Sequence, residues 1–269
     1  MHSNESCPIC GSKNIVKAQN ELSRCKECSL QFLANFKSPE YYNQIYNKNY
    51  FNGDVYKNYL EEELYRRQLF SEKIKLIRKH IPGEGSVLDI GCGMGFFLME
   101  MQNKGYHVDG LEISEYAAQI ASEKVNTSII TGDLTNTSFK STQFNIVTFW
   151  DVLEHIYDPV ESLKRVSRII KNDGVLVVET LNISSLTVKI LKEKWPLYYP
   201  PYHIYYYNQS SMIRLLHRAG FQIVKTFPVQ TYIKSSSGYR AFRYFRYPFI
   251  RKLAGMLFDD VVIYIAKLF

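Results

Sequence analysis

The sequence predicts an α/β domain, a doubly wound and mostly parallel sheet with helices on both faces, preceded by a small metal-held ribbon. Three observations predict it. Short apolar segments alternate with helical ones between residues 86 and 179, and such alternation implies crossover connections and a parallel sheet. The first apolar segment, Val87-Leu88-Asp89-Ile90, runs into a glycine turn, Gly91-Cys92-Gly93-Met94-Gly95. The N-terminus carries two Cys-x-x-Cys pairs, Cys7/Cys10 and Cys25/Cys28, separated by fourteen residues.

The chain has 269 residues, 46% of them apolar, enough for one large domain with a full core and a small appendage. Its start, Met1 to Ser6, is polar, and no apolar run approaches the roughly 18 residues of a membrane span. A soluble cytoplasmic protein is the expectation. The formal charge of +7 permits phosphate-bearing or membrane-surface partners without requiring nucleic acid. The aromatic load is unusual, 21 Tyr and 16 Phe with six tyrosines between residues 198 and 207, and core packing accounts for only part of it.

Taken in order, residues 1–36 form the ribbon. Four cysteines at this spacing suit a tetrahedral zinc ion, and the segment between is too short and polar to build its own core. Residues 37–80 read as a helical connector or lid, rich in tyrosine, ending in a helix over about 61–80. Residues 81–269 make the main domain. Strand 86–90, helix 96–104, strand 106–111 and helix 114–124 come first, then a short strand near 128–131. Strand 144–150 precedes a helix from 159, announced by Asp158 as cap, Pro159 in the first turn and Glu161 three residues after the cap. Asn172-Asp173-Gly174 reads as a turn into strand 175–179. Insertions near 182–207 and 234–258 flank a helix over 209–219, closed by Gly220, and a strand from Phe221. Strand 260–266 ends the chain.

Ligands of open α/β sheets lie beyond the carboxyl ends of the strands. Here those ends carry Asp89 to Gly95, Glu112, Asp133 and Trp150-Asp151. The glycine turn lets backbone approach a ligand and aims helix N–H groups at it. It departs from the dinucleotide fingerprint: the third glycine comes one residue early, and Phe96 takes its place. Asp89 would repel a pyrophosphate but attract a sulfonium cation, which favours S-adenosylmethionine over NAD.

Asp89-x-Gly91-x-Gly93-x-Gly95 resembles motif I of the class I S-adenosylmethionine-dependent methyltransferases. The segments 108–112, 132–134 and 144–155 resemble later motifs of that family in order, so the resemblance covers roughly residues 70–269. It implies a Rossmann-like fold whose last strand is inserted antiparallel. It also implies that Asp89, Gly91, Gly93 and Gly95 hold the methionine moiety. Glu112 would accept from the ribose hydroxyls and Asp133 from the adenine amino group. Ile113 and Leu134 would pack on the ring, and Trp150 or Asp151 would touch the amino end.

For catalysis, Tyr202-His203 opens a run resembling the substrate-side His-x-x-Tyr segment of small-molecule and glycan methyltransferases, making His203 a candidate base and Tyr202 its neighbour. His155 lies in Asp151-Val152-Leu153-Glu154-His155, which resembles the Glu-His pair that quinone O-methyltransferases use for a divalent cation; on a helix, 151, 154 and 155 would share one face. The segment 239–258 mixes cations with aromatics, suiting an amphipathic cover, a peripheral membrane contact, a phosphorylated substrate or RNA stacking. The resulting expectation is a methyltransferase with a zinc ribbon, acting on a small-molecule acceptor, a sugar or surface-glycan precursor first. The competing readings are an RNA or ribosome methyltransferase that grips nucleic acid through the ribbon, and a cofactor-binding adaptor without turnover.

Overall fold

The computed structural model describes residues 6–19, 21–139, 142–229, 234–235, 238–239 and 260–269. Apart from the backbone of Tyr239, the expected basic aromatic segment 239–258 lies outside the described residues.

The ribbon comprises β1 (Ile15–Lys17), β2 (Leu22–Cys25) and β3 (Gln31–Leu33), paired antiparallel in that order. Each Cys-x-x-Cys pair sits in a tight turn closed by a backbone bond, Gly11 N–H to the Cys7 carbonyl at 2.8 Å and Ser29 N–H to the Cys25 carbonyl at 2.9 Å. The connector holds α1 (Pro39–Ile45), capped by the Ser38 hydroxyl with proline in its first turn, an irregular turn over Tyr50–Asp54, and α2 (Glu63–Ile77). The lid helix is thus shorter than expected at its C-terminal end.

The main sheet is built from β4 (Ser86–Ile90), β5 (His107–Glu112), β6 (Ile130–Thr131), β7 (Phe144–Trp150), β8 (Ile170–Leu181), β10 (Phe221–Val229) and β13 (Val261–Leu268). Between them lie α3 (Phe96–Gln102), α4 (Glu115–Val125), α5 (Pro159–Ile169), α6 (Leu186–Leu191), β9 (Tyr205–Tyr206), α7 (Gln209–Arg218), and the short strands β11 (Lys234–Ser235) and β12 (Gly238–Tyr239), which pair with each other. The seven-stranded order is β10-β13-β8-β7-β4-β5-β6. β13 pairs antiparallel with both β10 and β8, while β8, β7, β4, β5 and β6 run parallel. This is the Rossmann-like order with an antiparallel inserted last strand.

Side-chain alternation along the buried strands supplies both faces. Val87, Ile146, Val177 and Ile263 pack with Ile74 and Ile77 of α2 and with α3 and α4. Leu88, Val147, Phe149 and Val178 pack on the opposite face with α5, α7 and the ribbon. The expected turn at Asn172-Asp173-Gly174 is instead a bulge inside β8: pairing with β7 breaks between Phe144↔Ile170 and Ile146↔Val175. Among the described residues no helix is long and apolar enough to cross a membrane.

The structure also crosses the boundary drawn at residue 36. The ribbon's sheet takes a fourth strand, β9, from the insertion expected near 182–207, with Gln31 opposite Tyr206 and Phe32 opposite Tyr205. Strands of two and three residues carry no legible period, so sequence alone could not pair them.

Candidate functional site

A cavity of about 380 Å³ opens at the carboxyl ends of β4, β5 and β7 and is roofed by α1, the Tyr50–Tyr59 turn and α2. Its floor is the glycine turn. Gly91 adopts φ +68, and a Cβ there would meet the Val152 side chain at 2.6 Å, so glycine is required on both counts. Gly95 begins α3 at φ +79 and lies against α4, where a Cβ would stand 3.1 Å from Ala121 Cβ. Ile90, Gly91 and Gly93 line the cavity, whereas Gly95 serves the packing of two helices.

Asp89 is likewise set behind the floor and is not among the lining residues. It is 2% exposed, stands opposite Thr148 of β7, and accepts that hydroxyl at 2.6 Å. Burial pushes its carboxyl up to about 8, against the opposing effect of the Thr148 hydrogen bond. Asp89 thus braces the turn from behind the floor rather than facing the cavity, and burial favours its protonated form.

Glu112, at the end of β5, does face the cavity. Its Oε2 accepts the Gly93 amide at 2.7 Å and its Oε1 the Ser114 amide at 2.9 Å. Burial raises its carboxyl while these backbone donors lower it, and the net direction is upward. Ile113 and Leu134 line the same end. Asp133 lines it too, but its oxygens already serve its own turn, accepting from the Thr135 amide at 2.6 Å and the Asn136 amide at 3.0 Å.

At the other end of the floor stand Trp150 and Asp151, with two cations on α2 that the sequence reading passed over. Arg66 lies 3.9 Å from the Tyr59 ring centroid and is held by Glu62 at 2.6 Å; Tyr59 in turn stacks on Phe96 at 5.6 Å. Lys73 pairs with Glu179 and sits 5.4 Å from the Trp150 ring. Burial is the largest influence on Lys73 and opposes its charge, but the Glu179 and Asp151 carboxylates and the hydrogen bond to Glu179 together outweigh it and raise the amine. Arg66, Phe70 and Lys73 are spaced i, i+4, i+7, a single helical stripe that could have been read as a cavity wall. Among the described residues the buried Trp150 indole Nε1 has no hydrogen-bond partner, so it is a donor that a ligand can meet.

A third region, lined by Pro39, Tyr42, Asn43, Tyr46, Tyr157 and Asp158, ends at His155. The helix face expected for 151, 154 and 155 does not form: Leu153–His155 is a single 3₁₀ turn, and Asp151, at φ +53, lies exposed outside it. His203 takes the third place instead. Its ring centroid is 4.8 Å from that of His155, and ligand atoms of Glu154, His155 and His203 lie within 4.8 Å of one another. The Nδ1 of His155 lies 2.8 Å from the Tyr202 carbonyl and 3.0 Å from the Tyr46 hydroxyl; that of His203 lies 2.8 Å from the Leu197 carbonyl. Donation from Nδ1 to these carbonyls leaves each Nε2 as a lone pair. Burial, reinforced by His203, pulls His155 down to about 3, and burial lowers His203 as well. His155 lines the cavity; His203 and Tyr202 stand one layer behind it, with Tyr202 contributing its carbonyl rather than its phenol.

The four ribbon cysteines converge, Cys7 Sγ to Cys28 Sγ at 3.6 Å and Cys10 Sγ to Cys25 Sγ at 3.5 Å. A tetrahedral ion at the usual metal–sulfur distance of about 2.3 Å wants sulfurs about 3.8 Å apart, so these four can hold one.

A sequence profile describing a methyltransferase domain matches residues 62–226, more than half of the chain. The ubiquinone biosynthesis O-methyltransferase of Actinobacillus pleuropneumoniae is 28% identical over 106 residues, 36% of this chain and 45% of its own length; the chain thus spans less than half of that relative. The crystal structure of a SAM-dependent methyltransferase from Archaeoglobus fulgidus superposes with a TM-score of 0.58 at 25% identity, covering 78% of this chain and 98% of the other. The magnesium protoporphyrin IX methyltransferase of Synechocystis PCC 6803, solved with bound SAH, shares the fold at 19% identity with a TM-score of 0.55, over 87% of this chain and 96% of its own. The chain belongs to the class I S-adenosylmethionine-dependent methyltransferase family.

Proposed function

We propose that the chain transfers a methyl group from S-adenosylmethionine to a small hydroxyl-bearing acceptor held in the tyrosine-lined end of the cavity. One observation carries the reading: a carboxylate fixed by two backbone amides, Glu112, shares a cavity with a neutral histidine, His155, across the glycine turn. The donor set suits the cofactor along its length. Glu112 suits the ribose diol, Ile113 and Leu134 the adenine faces, Arg66 and Lys73 the carboxylate, and the unpartnered Trp150 Nε1 an acceptor atom near the sulfur end. Asp133 shapes the adenine turn and keeps lone pairs for the exocyclic amine.

The bound cofactor supplies a methyl carbon made electrophilic by its sulfonium. The protein's part is alignment and proton acceptance. His155 accepts a hydrogen bond from the acceptor hydroxyl through Nε2 and takes its proton as the oxygen–methyl bond forms and the carbon–sulfur bond breaks. A sugar or glycan precursor suits the chamber, since Tyr42, Tyr46 and Tyr157 offer ring faces while Asn43 and Asp158 offer polar edges. The ribbon cysteines would hold structural zinc. The test is calorimetry with S-adenosylhomocysteine, followed by transfer of labelled methyl groups to fractionated extract. Uptake of the nucleoside and labelling of a small hydroxylated product are expected; absence of uptake, with tight binding of a nicotinamide nucleotide, would overturn the reading.

A further inference from the structure

We propose that the four-cysteine site is a positioning device for the acceptor wall: metal held at Cys7, Cys10, Cys25 and Cys28 fixes β3, and β3 fixes the segment Tyr202–Tyr207 that carries His203 and anchors His155. The proposal rests on the reading of that wall as the acceptor side.

The path is continuous. The Cys7–Cys10 turn precedes β1 and the Cys25–Cys28 turn joins β2 to β3, so the metal ties the start of the ribbon to the entry of β3, the strand against which β9 pairs. The Leu33 amide donates to the Ile204 carbonyl at 3.1 Å, and the Ile204 amide donates to the Glu154 carbonyl at 2.9 Å. One residue before Ile204 is His203; one before that is Tyr202, whose carbonyl faces His155 Nδ1. The ribbon is also tied to the helix that follows. Asn208 Nδ2 donates to the Ser29 carbonyl at 2.8 Å, and Arg218 donates to the Ile9 carbonyl. Phe36, the last residue of the ribbon, contacts Tyr205 and the cavity-lining Tyr157, with ring centroids 5.7 and 6.0 Å away.

The cofactor side is built otherwise. Gly91, Gly93 and Glu112 hang on β4 and β5, which pair with each other, with β6 and with β7 but not with a ribbon strand. The three ribbon strands are too short for independent stability, three or four residues each against a usual length of about five or six. Loss of the metal therefore releases β3, the strand that, among the described residues, is the one antiparallel partner of β9. The two halves of one cavity thus depend on different supports.

Hydrogen exchange read by mass spectrometry tests this on the full chain, zinc-loaded and after stripping with a chelator under reducing conditions. Stripping is expected to speed exchange about tenfold or more over residues 202–207 and 153–157. Residues 86–95 and 107–113 keep their protection, and affinity for S-adenosylhomocysteine changes less than about threefold. Asn208→Asp supplies a milder second case. It keeps the cap oxygen for the Ser211 amide at 2.9 Å but lacks the donor to Ser29, so it retains zinc and shows intermediate exchange over 202–207. Unchanged protection of 202–207 in both cases overturns the proposal, as does equal loss over 86–95 or a purified chain that protects 202–207 without metal. Exchange needs no cofactor. Failure of S-adenosylhomocysteine to bind even the zinc-loaded chain would sink the methyltransferase reading and leave the positioning question to the exchange result.

Discussion

The Gly93 amide donates to Glu112 Oε2 at 2.7 Å, which locks the glycine turn after β4 to the last residue of β5. The other oxygen accepts the amide of Ser114, whose hydroxyl caps α4. One carboxylate thus sets the spacing between two strand ends and the start of a helix, and its remaining lone pairs face the cavity.

Glu112→Gln tests that arrangement. An amide keeps the volume but turns a donor toward one of two backbone N–H groups, leaving a buried donor unsatisfied. Such a loss costs about 1–3 kcal/mol, on the order of 10- to 100-fold in affinity. S-adenosylhomocysteine affinity by calorimetry is expected to fall by that much. The far-ultraviolet circular dichroism of the variant stays native, since β5 remains paired on both sides.

Asp89 makes a pH prediction. Its folded carboxyl stands at about 8, against an unfolded value of about 3.9. Because the folded value is raised, the folded state holds the proton that the unfolded state releases. The contribution of Asp89 to stability is therefore complete below about pH 4 and is lost as pH rises toward 8. Asp89→Asn, which cannot ionise and still accepts the Thr148 hydroxyl, removes this slope of up to about 1.4 kcal/mol per pH unit. Urea unfolding of both proteins at pH 5 and pH 8 measures it. The variant gains on the natural chain as pH rises, and parallel curves would show that Asp89 is ionised in the folded state.

Much of this site was legible locally. Strand β4, its glycine turn and the acid ending β5 are announced by short contiguous patterns, and caps at Ser114 and Asp158 place α4 and α5 within a residue or two. What escaped the sequence depends on direction and on distant pairing. The side chain of Asp89 could not be assigned to cavity or wall from its place before the turn. Residues 151, 154 and 155 would share a face only on a helix, and the positive φ of Asp151 ends that geometry. Arg66 and Lys73 share a helical stripe with Phe70, but the helix carries charges on most sides, so that stripe stood out only weakly as the inward face. The pairing of β3 with β9 joins very short strands far apart in sequence.

Arg66 is expected to recognise the carboxylate of the cofactor's amino-acid tail. Arg66→Met keeps the stem against Tyr59 and removes the charge. Affinity for S-adenosylhomocysteine is expected to fall roughly tenfold, the scale of one charge-assisted hydrogen bond. Affinity for methylthioadenosine, which lacks the tail, stays within about twofold. Equal losses for both nucleosides would assign Arg66 to packing of the Tyr56–Tyr59 turn instead.

His155 predicts the shape of the rate profile. Burial and His203 hold it at about 3, so the neutral ring that accepts a proton is present throughout the accessible range. Methyl transfer, followed with labelled cofactor once an extract fraction supplies the acceptor, should then show no acidic limb with a histidine midpoint between about pH 5 and 8. His155→Ala should lower turnover by about 10²–10⁴-fold while leaving S-adenosylhomocysteine affinity unchanged, because Glu112 and the glycine turn do not touch it. Tyr46→Phe removes the hydroxyl 3.0 Å from His155 Nδ1 but leaves the Tyr202 carbonyl to hold the same tautomer. Its turnover should therefore fall far less than that of His155→Ala. A Tyr46→Phe loss as large as the histidine's would transfer the proton-handling role to the tyrosine.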